Sequence, residues 1–450
     1  SRWGRSDDYQ YADLANDRGC GKISLQLQDN NKFKFVVDEI KGGYILSQNE
    51  HLLTGIRVLD FTRALAGPTC TRMFAEMGAE VIKVESAPDG EMTRRLTKLR
   101  ADRSFYFIQQ NLNKKSFCVD LSQVQSTELL REIVPHCDVV VENFRPGVME
   151  ALGFGYEALK ELKGDIILCS ISALGQKGPL SRKPGYDYIA QAYSGVTSMI
   201  GEKDAAPYIP LVGLGDISTG VHGAFGIAAS LLHRARTGQG QHLDIALLDC
   251  YYHYHELNVF QYSGTDGEVK PTRGGRHVTY VCPAGVFEGV EGYLVIMGFL
   301  HHWEDLCTAM NRKDLIDREG WRTDPERLER QAEVVALIEE WLKTFKDVDS
   351  ALARLEEFDV PCAPVLSVEE TVNHPHLIER GTVRTIDDPI AGRFKIPGHP
   401  IKTSGYPADG NYVAPTLGQH NAEILKTILD KSDEEIVKLE EKGVICSSDT

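Results

Sequence analysis

The stretch Ile56-Arg-Val-Leu-Asp-Phe-Thr-Arg-Ala-Leu-Ala-Gly-Pro-Thr-Cys-Thr-Arg-Met-Phe-Ala-Glu-Met-Gly-Ala-Glu-Val-Ile-Lys-Val-Glu85 decides the fold class. Ile56 to Phe61 is a short apolar run that reads as a buried strand, Thr69 to Met77 reads as a helix, and Glu80 to Glu85 as the next strand. Strands joined through a helix pair in parallel, so an α/β fold with a parallel sheet is expected. The alternation returns with a helix at Glu128 to Val134, a strand at Asp138 to Glu142, helical pieces at Val148 to Leu152 and Tyr156 to Leu162, and a strand at Ile166 to Ser170. Each strand runs into a loop carrying Gly, Pro, Asn or Arg. Ligands of open α/β sheets gather at the carboxyl ends of the strands, so those loops are where a site belongs.

On the amino-terminal side, residues 1–52 form an extension of different character. A polar opening gives way to the alternating runs Lys22 to Gln28 and Lys34 to Asp38, two short strands around Asp29-Asn30-Asn31. On the carboxyl side the chain becomes turn-rich from Gly264 to Gly275. Two hairpin strands follow, Ala284 to Glu288 and Tyr293 to Met297, and then a charged helical stretch from about Asp324 to Phe345 with Val334, Val335, Ile338, Trp341 and Leu342 at helical spacing. This divides the chain into a large domain at 53–270, a smaller α/β domain at 271–380, and a segment at 381–450 that returns to the large domain and ends in an amphipathic helix over Ser432 to Lys442.

With 49 basic against 65 acidic residues, the net charge of -16 argues against a nucleic-acid partner, because tracking a phosphate backbone needs a positive surface. A small anion remains compatible, since a few local cations reverse the field within a cleft. Ten cysteines in 450 residues, with no C-x-x-C pair, fit a reducing, cytoplasmic setting. The polar segment Ser1 to Gly19 reads as neither a secretory signal nor a membrane anchor, and no apolar run approaches the roughly eighteen residues of a membrane span.

The chain has neither G-x-G-x-x-G nor G-x-x-x-x-G-K-[ST], which weighs against nicotinamide dehydrogenases and P-loop NTPases. The loop Thr62-Arg-Ala-Leu-Ala-Gly-Pro68 can still offer backbone N–H groups and a helix start to a phosphate. The segment Ile209-Pro-Leu-Val-Gly-Leu-Gly-Asp216-Ile-Ser-Thr-Gly220 carries one formal charge, Asp216, between a glycine-punctuated run and an apolar helix of small residues. That carboxylate can be a helix N-cap, a turn residue or a chemical group.

Several ordered blocks resemble one family, the class III coenzyme A transferases, which includes formyl-CoA:oxalate and succinyl-CoA:glutarate CoA-transferases and whose superfamily holds carnitine CoA-transferase and α-methylacyl-CoA racemase. They are Val58-Leu-Asp-Phe-Thr62, Ala66-Gly-Pro68, Gly78 to Glu85, Asn113-Lys-Lys-Ser116, Val141-Glu-Asn-Phe-Arg-Pro-Gly147, Gly185-Tyr-Asp187, Gly215-Asp216 and Arg236-Thr-Gly-Gln-Gly240. The resemblance implies a large split domain with a parallel Rossmann-like sheet, a smaller α/β domain and an interlocked homodimer. It implies Asp216 as the nucleophile on an acyl-CoA thioester, passing through a mixed anhydride and an aspartyl-CoA thioester, with acyl-CoA and small carboxylic acids as substrates. No tightly bound cofactor and no metal are implied.

The same resemblance gives Tyr186 a place at the reactive centre, where its OH could orient a substrate carboxylate; a tyrosine packed beneath its loop is the alternative. Asp187 would lie near CoA or Tyr186. Gly274 and Gly275 match part of a glycine-rich loop over the site, or form an ordinary turn. Arg63, Ala64, Arg94, Lys115, Asn143, Phe144 and Arg145 would serve the coenzyme, the cations through its phosphates, with solvated surface positions as the alternative for Arg145, Lys114 and Lys115. In the racemases a histidine stands where this chain has Tyr186; a phenol, with its pKa of about 10, is a poor base at neutral pH, so transfer is favoured over racemisation. Leu65 replaces a glutamine of the formyl-CoA enzyme, which argues against formyl-CoA and oxalate as the pair served. His222 reads as a helix-packing residue, and Tyr251-Tyr-His-Tyr-His-Glu256 as aromatic packing rather than a metal cluster.

Overall fold

The computed structural model describes residues 22–28, 32–38, 51–299, 301–406, 410 and 412–448. Strands β1 (Lys22–Gln28) and β2 (Lys32–Asp38) form an antiparallel ribbon with Lys22 opposite Asp38 and Gln28 opposite Lys32. The turn expected at 29–31 lies outside the described residues. This ribbon belongs to a unit of its own; the main body begins at Leu52.

Along the main body run β3 (Arg57–Asp60), α1 (Ala66–Glu76), β4 (Glu80–Ser86), β5 (Lys98–Arg100), β6 (Arg103–Ser104), α2 (Phe105–Gln110), β7 (Lys115–Val119), α3 (Val124–Ile133), β8 (Val139–Glu142), α4 (Val148–Ala151), α5 (Tyr156–Leu162), β9 (Ile167–Ser172), α6 (Asp187–Tyr193), α7 (Leu214–Thr237), β10 (His242–Ala246), α8 (Leu247–Tyr252) and α9 (Asn258–Gly264). Six of the strands make one parallel sheet in the order β10-β9-β8-β3-β4-β7. The block quoted above folds as expected. Strands β7 and β10 were not read from the sequence, because β7 offers only Phe117-Cys118-Val119 in a row and β10 alternates His242 and Asp244 with Leu243 and Ile245. Both end the sheet: β10 is partly exposed, and the outer side of β7 is covered by the returning carboxyl-terminal segment, with the Cys446 amide donating to the Cys118 carbonyl at 3.1 Å.

Alternation along the strands divides the side chains between two faces. Leu59, Ile82, Val84, Phe117, Val140 and Leu168 join Leu130 and Ile133 of α3 and Leu159 of α5 in one core. Val58, Val81, Val139, Val141, Ile167 and Cys169 join Cys70 and Phe74 of α1 and Ala224 and Ile227 of α7 in the other. Helices α1 and α7 approach closely because glycine lines the contact: a Cβ on Gly220 would stand 2.6 Å from the Ala66 carbonyl oxygen. The carboxyl-terminal helices Asn421–Leu429 and Asp433–Glu441 return to the first core through Ile424, Leu425, Ile428 and Ile436.

Strands Ala284–Glu288, Tyr293–Met297 and Cys362–Pro364 form a separate antiparallel sheet with a core of its own, including Phe287, Leu294, Trp303, Trp321, Ile338 and Leu355. The hairpin has the expected limits. The helix expected over 324–345 is two, Asp324–Glu329 and Gln331–Leu342, meeting at Arg330. The first is pinned by buried Arg327, whose guanidinium donates to the carbonyls of Cys282 (2.6 Å) and Trp321 (2.9 Å). Among the described residues no helix is long and apolar enough to cross a membrane.

The sheet order reverses between β3 and its neighbour β8: chain continuing from β3 builds outward on one side, chain from β8 on the other. The carboxyl ends of these two strands form the switch point, the place where open α/β sheets have their ligand crevice.

Candidate active site

The wall of the crevice after β3 is shaped by buried charge. Asp60 accepts from the Thr62 amide at 2.8 Å and from Lys114 Nζ at 3.0 Å. Lys83 Nζ donates to the Thr62 carbonyl at 2.8 Å and pairs with Glu91 at 2.8 Å. Glu91 in turn accepts from the Ala64 amide at 2.8 Å, holding Ala64 at φ 66°. Burial opposes the charge on Asp60, yet Lys114 and Lys83 hold its carboxyl below the ordinary range; burial drives the Lys114 ammonium down to about 8 against the pull of Asp60. Lys114, considered as a phosphate contact, is thus a fully buried part of the scaffold.

The two loops are laced together across the crevice. The Arg63 amide donates to Asn143 Oδ1 at 2.9 Å, Asn143 Nδ2 donates back to the Arg63 carbonyl at 2.8 Å, and the Arg63 guanidinium lies 5.0 Å from the centre of the Phe144 ring. Exposed Arg145 borders a pocket of about 450 Å³ with Val148, Leu152 and Arg182. Arg63, Ala64, Asn143, Phe144 and Arg145 therefore come together at the switch point. Two other residues expected at the coenzyme are engaged elsewhere. Arg94 is held by Glu85 through two 2.6 Å bonds, with its guanidinium 3.7 Å over the Phe107 ring. Lys115 sits at the amino end of β7, paired with Glu80 (2.6 Å) and Glu423 (2.7 Å), at the end of the sheet opposite the crevice.

The start of α7 closes the other side. Gly213 occupies the N-cap and Asp216 the third helical position, so Asp216 is not the cap that its sequence context allowed. A Cβ on Gly213 would lie 2.7 Å from Leu65 Cδ2, which places the α7 start directly against the β3 loop. Half-buried Asp216 points its amide at Asp187 Oδ2, 3.4 Å away. Burial first, and the Asp187 charge second, push the Asp216 carboxyl from 3.8 to about 7. Asp187 is buried and accepts the Tyr251 hydroxyl, while Tyr186 precedes α6 with its side chain 79% exposed; it is not packed beneath the loop. Gly275 stands against the 198–205 loop, where a Cβ on it would meet Glu202 Oε2 at 2.6 Å and nearby Arg273 donates to the Glu202 carbonyl at 2.8 Å, while Gly274 faces His277 and Thr279 within its own turn. His222 bonds the Ser218 carbonyl on its own helix at 2.8 Å, and His255 bonds the Ser194 carbonyl at 2.9 Å. Among the described residues no group of three or more His, Cys, Asp or Glu is arranged to hold a metal.

Two aromatic residues at this site went unread. Tyr106 on α2 is raised to about 12 by burial and then by the charges of Asp216 and Glu91, which puts its phenol in the same electrostatic neighbourhood. Tyr251 lay inside a run that reads as aromatic packing; only its meeting with Asp187 and Gly215 reveals a polar task.

A family described as CoA-transferase family III matches residues 53–421. The chain belongs to that family. Family III members similar to it include a formyl-CoA:oxalate CoA-transferase from Bradyrhizobium sp. (strain ORS 278), 33% identical over 87% of this chain and 97% of that one. A succinyl-CoA:mesaconate CoA-transferase from Haloarcula hispanica is 39% identical over 83% of this chain and 95% of its own. Human succinyl-CoA:glutarate CoA-transferase is 31% identical, covering 88% and 91%. Among solved structures, a CAIB/BAIF family protein from Brucella suis superposes with a TM-score of 0.75 at 31% identity, over 84% of this chain and all of the other. The general chemistry of this family III protein is therefore CoA transfer, with coenzyme A as a substrate.

Proposed function

We propose that the protein reversibly transfers coenzyme A from an acyl-CoA to a free carboxylic acid through Asp216. The observation that carries this reading is the Asp216 carboxyl itself, half-buried at the mouth of the crevice and raised to about 7. Near neutral pH it is ionised in a substantial fraction and is more basic, hence more nucleophilic, than an ordinary carboxylate.

The Asp216 carboxylate attacks the donor thioester carbon; the tetrahedral oxyanion collapses, breaks the C–S bond and leaves a mixed anhydride and CoA thiolate. The thiolate attacks the Asp216 acyl carbon, releasing the donor acid and leaving an aspartyl-CoA thioester. An acceptor carboxylate attacks that thioester to form a second anhydride and free the thiolate, which then attacks the acceptor carbonyl. Acceptor acyl-CoA leaves and the Asp216 carboxylate is restored. Holding CoA throughout keeps the thiolate at high effective concentration. Arg63, Ala64, Asn143, Phe144 and Arg145 are assigned to that task, and the first turn of α1, directly after Leu65, favours negative charge nearby. Asp187 is assigned to Asp216 itself, Tyr186 to the acceptor carboxylate, and Gly274 and Gly275 to a covering loop. Arg94 and Lys115 are assigned to the scaffold because their charges are already paired.

The strand order, counted outward from β3, is that of the doubly wound dinucleotide-binding fold, which supports the Rossmann-like description. A homodimer is part of the proposal: Leu211, Phe225, Leu232 and Phe260 expose apolar surface along 211–260 that a second protomer would cover. Free thiols at all nine described cysteines accord with a cytoplasmic location. Incubation with paired acyl-CoA donors and acceptor acids, followed by analysis of both products, tests the activity. Equimolar exchange is expected; hydrolysis alone, or α-proton exchange without an acceptor, would contradict it.

A further inference from the structure

Helix α7 begins without a capping side chain, since Gly213 holds the N-cap position. The first amides of a helix have no partners within it and need others. Here two neighbouring helices supply them: the Gly215 amide donates to the Tyr251 hydroxyl of α8 at 3.0 Å, and the Asp216 amide is directed at Asp187 Oδ2 of α6 at 3.4 Å. Tyr251, on α8, is wholly buried, and its own proton goes to Asp187 Oδ1. Its oxygen also accepts from Gln191 Nε2 at 3.1 Å, and Gln191 Oε1 accepts from the Thr197 hydroxyl at 2.9 Å.

A phenol has one proton to give and two lone pairs, and Tyr251 uses all three. Every donor in the series Thr197, Gln191, Tyr251 points toward the Asp187 carboxylate, so the bonds polarise one another in the same sense and hold that carboxylate in one orientation. The fit leaves no room for a side chain at the residue before Asp216: a Cβ on Gly215 would collide with the Tyr251 ring and stand 2.6 Å from Asp187 Oδ1. Simple core packing needs only the ring; it does not need the hydroxyl between a helix-start amide and a carboxylate.

On the reading that Asp216 is the nucleophile, we propose that Tyr251 is its positioning residue: the phenol fastens the Asp187 carboxylate across the first turn of α7 and so fixes the setting in which the Asp216 carboxyl reacts. The groups that face Asp216 electrostatically are Asp187 from α6 and Tyr106 from α2. Tyr106 keeps its proton across the neutral range. With the Tyr251 donor in place, the Asp187 charge is held beside the α7 start, where, after burial, it keeps the Asp216 carboxyl raised. Without that donor the Asp187 carboxylate is no longer fastened there, its charge weighs less on Asp216, and Asp216 ionises at lower pH.

The test is the rate of acylation of Asp216 by a competent acyl-CoA in a single turnover, followed against pH for the wild type and Tyr251→Phe. The variant keeps the ring. Its acid limb is expected at lower pH than the wild type's, and its plateau rate about tenfold lower, with KM for the donor little changed. A limb at the wild-type position, whatever the rate, overturns the proposal and leaves Tyr251 a packing residue. If Tyr251→Phe does not fold, Gln191→Met, one bond further from Asp187, is read in the same assay and must move the limb the same way. A wild type that turns over without acylating Asp216 overturns the nucleophile reading and this proposal together. A wild type that acylates, beside a Tyr251→Phe variant with the same pH profile, overturns this proposal alone.

Discussion

Asp187 Oδ2 lies 3.4 Å from the Asp216 amide nitrogen, so two carboxylates share the first turn of α7. The amide holds Asp187 in place, and the Asp187 charge then weighs on the Asp216 carboxyl.

This arrangement costs stability. The Asp216 carboxyl loses its proton near 3.8 in the unfolded chain and near about 7 in the folded one. The group therefore favours folding most below 3.8, and that contribution is lost as pH rises to about 7. Asp216→Asn, which carries no charge at any pH, should be more stable than the wild type by about 2 kcal/mol above neutral pH and equal to it in acid. Urea unfolding at the two extremes reads the difference; a variant less stable than the wild type at high pH would show that Asp216 is not a strained charge.

Gly215→Ala places a methyl group against the Tyr251 ring and Asp187. Since both are buried in packed surroundings, a loss of about 2 kcal/mol is expected, with activity falling further than stability because the group displaced is the neighbour of Asp216. Denaturant melts and turnover on the same preparation separate the two.

Glu91→Gln keeps an acceptor for the Ala64 amide but removes the counter-charge closest to buried Lys83. About 3 kcal/mol of destabilisation is expected in urea melts. A neutral outcome would mean that Asp60 and Glu85 suffice for Lys83.

Arg63→Ala leaves the backbone bonds to Asn143 intact and removes only the guanidinium over Phe144. KM for acyl-CoA should rise by about tenfold with kcat little changed, and the difference should shrink as salt is added. Asn143→Ala breaks both bonds between the loops and should lower kcat as well.

Much of this was legible in the sequence where the signal is local. The β3-α1-β4 unit announces itself because two short strands rich in Val, Leu and Ile flank a helix and end in a loop of Gly and Pro. Asp216 stands out as the one charge in a glycine-rich, apolar stretch. The rest depends on meetings between distant residues. Arg94 and Lys115 look like free cations in sequence, but Glu85, Glu80 and Glu423 neutralise them in the fold. Tyr251 looks like one aromatic among several until α8 brings it to Asp187. Strands β7 and β10 escaped because one is a run of only three apolar residues and the other alternates His242 and Asp244 with its apolar positions.

The most direct measurement of the central claim is intact-mass and peptide analysis of the protein after brief exposure to an acyl-CoA donor that it turns over, with hydroxylamine added to trap activated carboxyls. Modification at Asp216 that depends on the donor, and that disappears together with turnover in Asp216→Ala, is the predicted result. Undiminished turnover in Asp216→Ala, or turnover by the wild type with Asp216 never modified, would contradict it.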